Sequence, residues 1–236
     1  MSKLTAGSGR PLVIAHRGGF GPDPENSIAA FENALALGAD MIELDVRPTR
    51  DGRPVVAHDP ELRGRPISSL TAEEITATAH CAPPFLAEVV ARLGGRIALD
   101  VEIKESGCER EVIAAVGALS PDLLVLSSFR AEVVRKARQL AQHLPAGLIC
   151  SPRTAGATSI RMAVEAGATH LVLHRRRAGP RALAKARKSG LAVFVWTVND
   201  SQDLARFFSD PAISGVVTDR VAEALDARGK GVAPSR

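Results

Sequence analysis

Short apolar runs alternate with amphipathic stretches along almost the whole chain. The runs PLVIAH, MIELDVR, RIALDVEIK, LLVLSSF, AGLIC, HLVLH, AVFVWTVN and GVVTD have strand length. Helical periodicity marks the segments between and after them, such as NSIAAFENALALG, FLAEVVARLG, AEVVRKARQLA and SQDLARFFS. In the first of these, Ile28, Phe31 and Leu35 define an apolar face and Gly38 supplies a stop. Eight strand-helix units joined by short links, with no GxGxxG turn, predict an α/β chain folded as a (β/α)8 TIM barrel rather than an open doubly wound sheet. One domain spanning 1–236 is expected, with its core at about 11–228 and a frayed tail, RGKGVAPSR.

The alternation is interrupted once, after the second strand. RDGRPVVAHD returns as a hairpin, for which Asp51-Gly52 predicts a type I′ turn. A short excursion, ELRGRPISSLTAEEITATAHCAPP, follows and carries one short helix.

Composition removes several classes of function. At 45% hydrophobic and 24% charged, the chain is neither disordered nor membrane-embedded. Seven Phe, one Trp and no Tyr leave the core to aliphatic residues and supply few stacking platforms, so no nucleic-acid partner is expected. The net charge of +4 is spread along the helices, except at His174-Arg175-Arg176-Arg177, which reads either as a solvated loop or as a rim that attracts an anionic substrate. Cys81, Cys108 and Cys150 contain no CxxC pair and argue against a disulfide framework or a zinc site. MSKLTAGSGR has no apolar signal region, and no run approaches the roughly 18 apolar residues of a membrane span. A cytoplasmic protein without a stable membrane anchor is the resulting expectation.

In a barrel of this kind the chemistry sits at the C-terminal ends of the strands. The first strand ends in His16 and Arg17. The second carries Glu43, Asp45 and Arg47 at alternate positions, and therefore on one face; the third repeats the spacing with Asp100, Glu102 and Lys104. Several carboxylates aimed at one mouth repel one another unless a divalent cation or basic side chains compensate, and hard oxygens suit Mg²⁺ or Ca²⁺. His58 ends the hairpin strand and pairs conceptually with His16, because two rings titrating near neutrality can share proton acceptance and donation. Arg17 and Lys104 complete what reads as a phosphate-binding site. Glu25 either supports that site or belongs to the start of the first helix, where Asn26 or Ser27 is the N-cap.

The stretch AHRGGFGPDPENSIAAFENALALGADMIELDVRPTRDGRPVVAHD, followed by DVEIK, closely resembles the glycerophosphodiester phosphodiesterase family. SSF, VWTVN and GVVTD extend the likeness over most of the chain. The resemblance implies a TIM barrel that uses a divalent cation to hydrolyse glycerophosphodiesters, a small-molecule substrate class, to glycerol 3-phosphate and an alcohol. It further implies that Glu43, Asp45 and Glu102 hold the metal, that His16 and His58 are the acid-base pair, and that Arg17 and Lys104 contact phosphate. Glu25 matches the glutamate of the family's PEN motif as a supporting residue, and Trp196 matches the aromatic of WTVN, which lines the glycerol pocket. The insertion that follows HD in the family is short here. A lysophospholipase D or a cyclising phospholipase-like activity on the same barrel is the alternative, and it calls for an apolar groove that the residues around Ile67–Phe85 do not advertise. A catalytically silent barrel would lack a histidine or a carboxylate of this set, and none is missing.

Overall fold

The computed structural model describes residues 9–78 and 82–230. Cys81, most of the N-terminal segment read for a signal region and the tail beyond residue 230 lie outside the described residues.

Eight parallel strands close on themselves. They are β1 (Leu12–His16), β2 (Met41–Pro48), β6 (Ala98–Ile103), β7 (Leu124–Ser128), β8 (Ala146–Cys150), β9 (His170–His174), β10 (Ala192–Trp196) and β11 (Gly215–Thr218). The neighbours β1 and β2 pair, as do β1 and β11, so no free edge remains in the ring. Helices α1 (Ile28–Leu37), α3 (Leu86–Leu93), α4 (Glu109–Val116), α5 (Ala131–Leu140), α6 (Gly156–Glu165), α7 (Pro180–Lys188), α8 (Ser201–Ser209) and α9 (Val221–Lys230) follow the strands in turn. This is the expected (β/α)8 barrel.

The strands read as nearly continuous apolar runs because both of their faces are buried. Outward residues such as Val13, Ile42 and Leu99 pack under the helices, whereas Leu12, Ile14, Met41, Val125 and Phe194 fill the barrel interior. Toward the C-terminal rim the inward series turns polar: Ile14 gives way to His16, Met41 to Glu43 and Ala98 to Asp100. On α1 the buried stripe is Ala30, Phe31 and Ala34, with Ile28 and Leu35 only partly covered, so the apolar face lies slightly to one side of the predicted one. Among the described residues, no helix is long and apolar enough to cross a membrane.

The interruption after β2 forms as predicted, with one correction. Strand β3 (Pro54–Val56) returns antiparallel to β2, but the register pairs Pro48 with Pro54 and leaves five residues in the connection. A two-residue type I′ turn needs positive φ at both central positions, and here only Gly52 has it, at 79°. Gly52 N–H donates to Thr49 O, while the Asp51 carboxylate accepts from Thr49 Oγ1 and from the Ala72 amide, so Asp51 anchors the excursion instead of forming the turn. The excursion contains a minimal hairpin, β4 (Glu61–Leu62) with β5 (Arg65–Pro66), and the short helix α2 (Ala72–Thr76). Ile67, Leu70, Ile75 and Phe85 give it a small apolar core of its own against Val55.

The link from β1 to α1 is tightly constrained. Arg17, Gly18 and Gly19 all have positive φ, at 52°, 93° and 78°. A Cβ on Gly18 would sit 2.8 Å from Ala30 Cβ and 2.9 Å from Ala30 C, so helix α1 itself blocks a side chain there. At Gly38, with φ of 93° but nothing within 4 Å, only the left-handed backbone opposes one. Gly18→Ala is therefore expected to cost about 3 kcal/mol of stability and Gly38→Ala about 1 kcal/mol. Chemical denaturation of the two variants checks the order, and equal losses would remove the steric argument.

Candidate active site

Parallel register brings the acidic residues together. His16 lies beside Glu43, Glu43 beside Asp100, and Asp45 beside Glu102 across the β1–β2 and β2–β6 ladders. Because these residues are inward-facing, adjacent strands stack their carboxylates at one level of the barrel. Glu43, Asp45 and Glu102 each present an oxygen, and the three oxygens lie within 4.8 Å of one another.

That concentration of charge is costly, and the surroundings divide the cost unevenly. Burial, with Asp45, Glu102 and Asp100 adding repulsion, drives the Glu43 carboxyl well above the usual carboxylate range, although the Arg17 amide donates to it at 3.1 Å. Burial also raises Glu102, and Lys104 offsets only part of that. At Asp45 burial is overcome by Lys104, Arg17 and Asn26, and its pKa falls. Lys104 Nζ lies 2.8 Å from Glu102 and 3.1 Å from Asp45. Asn26 Nδ2 donates to Asp45 Oδ2 at 2.9 Å, and the Asp45 amide donates back to Asn26 Oδ1 at 3.3 Å. Asp100 sits one level deeper, accepts from Ser127 Oγ at 2.6 Å, and is pushed up to about 7 by burial.

Arg17 runs along the edge of the cluster. One terminal nitrogen donates to Glu25 at 2.8 Å, and Nε lies 3.1 Å from Asp45 Oδ2 without the alignment of a hydrogen bond. Burial works against its charge, but Asp45, Glu25 and Glu43 prevail and raise its pKa.

His16 is held from its own level of the barrel rim. Its Nδ1 lies 2.6 Å from Asp219 Oδ1, and Asn199 Nδ2 donates to the other Asp219 oxygen at 2.5 Å. Burial opposes the Asp219 charge, yet the bonds from His16 and Asn199 and the charges of His16 and Arg17 hold its pKa below the usual range. An ionised carboxylate only accepts, so Nδ1 carries the proton and Nε2, 3.9 Å from Glu43 Oε2, is the nitrogen left for chemistry. His58 is arranged differently. Its Nδ1 lies 2.8 Å from Asp59 Oδ1, and its side chain is 41% exposed against 21% for His16, which puts it on the solvent side of the site.

His16, Arg17, Glu43, His58, Glu102 and Lys104 line one cavity of about 220 Å³. Phe129, after β7, and Trp196, at the end of β10, form its apolar wall, with ring centroids 5.4 Å apart and nearly perpendicular planes. A model of the glycerophosphoryl diester phosphodiesterase family matches residues 16–223, which include every one of these positions. The chain belongs to this family. A glycerophosphodiester phosphodiesterase of Caldanaerobacter subterraneus is 31% identical over 232 residues, covering 89% of this chain and 94% of its own. Crystal structures of glycerophosphodiester phosphodiesterases have the same fold. One from Thermotoga maritima has a TM-score of 0.81 at 25% identity, covering 93% of this chain and 99% of its own. Another, from Parabacteroides distasonis, has a TM-score of 0.82 at 23% identity, covering 94% and 98%.

In this glycerophosphoryl diester phosphodiesterase family member, the predicted residues meet, but at different depths. Asp45 does not line the cavity; at 1% exposure it is covered, level with Glu102, and anchors Arg17 and Lys104. Glu25 stands outside on the rim as the partner of Arg17. Ser27 is the N-cap of α1, accepting from the Ala30 amide, which frees Asn26, at a positive φ of 58°, to serve Asp45. Of the basic cluster, Arg175 pairs with Asp203 and Arg177 donates to Pro152 O, so two of its three arginines serve local structure. Reading the strand ends missed Asp219, Asn199 and Phe129, although the final Asp of GVVTD ends its strand just as the His of PLVIAH does.

Proposed function

We propose that this chain hydrolyses small glycerophosphodiesters to glycerol 3-phosphate and an alcohol in a reaction that depends on a divalent cation. The observation that carries the proposal is the convergence of Glu43, Asp45 and Glu102 on one another beside a single cavity that His16, Arg17, Glu43, Glu102 and Lys104 line. With Asp100 counted, four carboxyl groups face two fixed cations, and a divalent ion would balance them with all four ionised, in place of the protons that burial favours on Glu43, Glu102 and Asp100. The donor set is all hard oxygen, which fits Mg²⁺ or Ca²⁺ and not a thiophilic metal. Glu43, Asp45 and Glu102 would hold the ion. When bound, it supplies charge stabilisation at the phosphoryl oxygens.

The remaining work belongs to side chains. Arg17, with its unaligned Nε, and Lys104 bind phosphoryl oxygens; Lys104 is already within reach of the carboxylates that would share the ion. His16 Nε2 and the His58 ring exchange protons with the nucleophile and the departing alcohol. Trp196 and Phe129 exclude water along one wall, with Lys104 Nζ 5.9 Å from the Phe129 ring centre, and Trp196 Nε1 is buried with no acceptor and free to donate to a ligand. A cavity of about 220 Å³ suits a phosphodiester head group, and the excursion that would have to supply an acyl-chain groove contributes no residue beyond His58 to its lining, which favours small diesters over lysophospholipids.

The test is a panel of glycerophosphocholine, glycerophosphoethanolamine, glycerophosphoinositol and a lysophospholipid, with glycerol 3-phosphate release as the readout. Activity confined to the lysophospholipid would overturn the substrate assignment. Asp219→Asn offers a sharper check on His16. An amide in that place can donate toward Nδ1 and favour the other tautomer, so kcat is expected to drop about 10-fold or more while metal affinity, measured by calorimetry, is retained. An unchanged kcat would show that Asp219 does not orient the ring.

A further inference from the structure

We propose that Arg47 is a positioning residue for His58, acting through a main-chain clamp that also grips Glu105; the proposal rests on the acid-base role assigned to His58 above. Arg47 continues the Glu43-Asp45 face of β2 but does not line the cavity. Its Nε and one terminal nitrogen both donate to the carbonyl oxygen of His58, at 3.0 and 2.8 Å. The other terminal nitrogen pairs with the Glu105 carboxylate.

The need for such a clamp follows from where β3 ends. Val55 pairs with Arg47 and Val56 with Val46, and the Ala57 amide still donates to Asp45 O at 3.0 Å. His58 lies one residue further, and its ring contacts only the highly exposed Asp59 among the bonds observed at its side chain. Without the guanidinium, the main chain that carries a proton-transfer group would leave the sheet with little to hold it. Glu105 follows Lys104 directly, so the same fork fixes the His58 loop relative to the end of β6, which supplies Glu102 and leads straight into Lys104. A planar, five-donor group at 11% side-chain exposure grips the carbonyl with two nitrogens and the carboxylate with a third, a fork that a single ammonium nitrogen does not reproduce.

The experiment is a kinetic cycle of R47Q, H58A and the double variant, assayed on glycerophosphocholine with saturating Mg²⁺. R47Q is expected to lower kcat by about 10- to 100-fold, the scale of a misplacement near 1 Å, with KM within about twofold and thermal stability reported alongside. Added to H58A, the same change is expected to lower the residual rate by less than about twofold, because Arg47 then has no catalytic group to position. An equal fall in both backgrounds would reveal a general structural role and overturn the proposal, as would wild-type turnover in R47Q when H58A is impaired. Wild-type turnover in H58A would instead overturn the role of His58. If R47Q fails to fold, E105Q, which loosens only one arm, is expected to reduce kcat in the same direction by a smaller factor; an unaltered kcat in E105Q would then count against the clamp.

Discussion

His16→Ala and His58→Ala are each expected to lower kcat by about 10²- to 10⁴-fold, the usual contribution of a positioned acid or base. The two losses should differ in kind. His16 is half-buried, with its tautomer set by Asp219 and Asn199, whereas His58 stands at the mouth with Asp59. A diester with a good leaving group, such as p-nitrophenolate, needs no protonation of its departing oxygen. The variant that recovers on that substrate therefore identifies the general acid, and the variant that stays slow identifies the base. Near-normal turnover of glycerophosphodiesters by either variant would remove that histidine from the chemistry.

Removal of divalent cations with EDTA is expected to abolish activity, and Mg²⁺ or Ca²⁺ to restore it. The same experiment has a stability signature. Asp100, raised by burial to about 7, titrates in the unfolded chain near 4. The folded state thus holds a proton that the unfolded state has released between those values, so its contribution is present in full below about pH 4 and is lost as pH rises to about 7. Glu43 and Glu102 are shifted in the same direction, again chiefly by burial. The metal-free protein is accordingly expected to melt at a lower temperature at pH 8 than at pH 5. A cation that favours the ionised carboxylates should flatten this slope, because it competes with protons for the same oxygens. Identical slopes with and without Mg²⁺, or full activity in EDTA, would sink the metal assignment.

Much of the site was legible because barrel strands carry their chemistry in a simple code. Alternate positions share a face and the C-terminal end is the mouth, so Glu43, Asp45, Glu102 and Lys104 announce themselves in ELD and EIK. The hairpin was legible as well, but the type of its turn was not. Asp51-Gly52 satisfies the local preference for a type I′ turn, yet Thr49 and the Ala72 amide compete for the Asp51 carboxylate and win. Asn26 was visible only as a possible cap, since its bond to Asp45 spans 19 residues and leaves no periodic trace.

By itself, the sequence determined the eightfold alternation, the inward polar positions and the pairing of two histidines with an acidic cluster. All of these depend on local periodicity and on residue type at strand ends. Only the tertiary structure decided that Asp219, 203 residues from His16, sets the tautomer of its ring. It also decided that Asp45 is covered by Arg17 and Lys104 and does not line the cavity, and that Arg47 reaches past β2 to hold the chain at His58. The physical reason is closure: joining β1 to β11 brings the first and last strands into contact, and the directions and distances of hydrogen bonds across such seams are not written in the spacing of either segment.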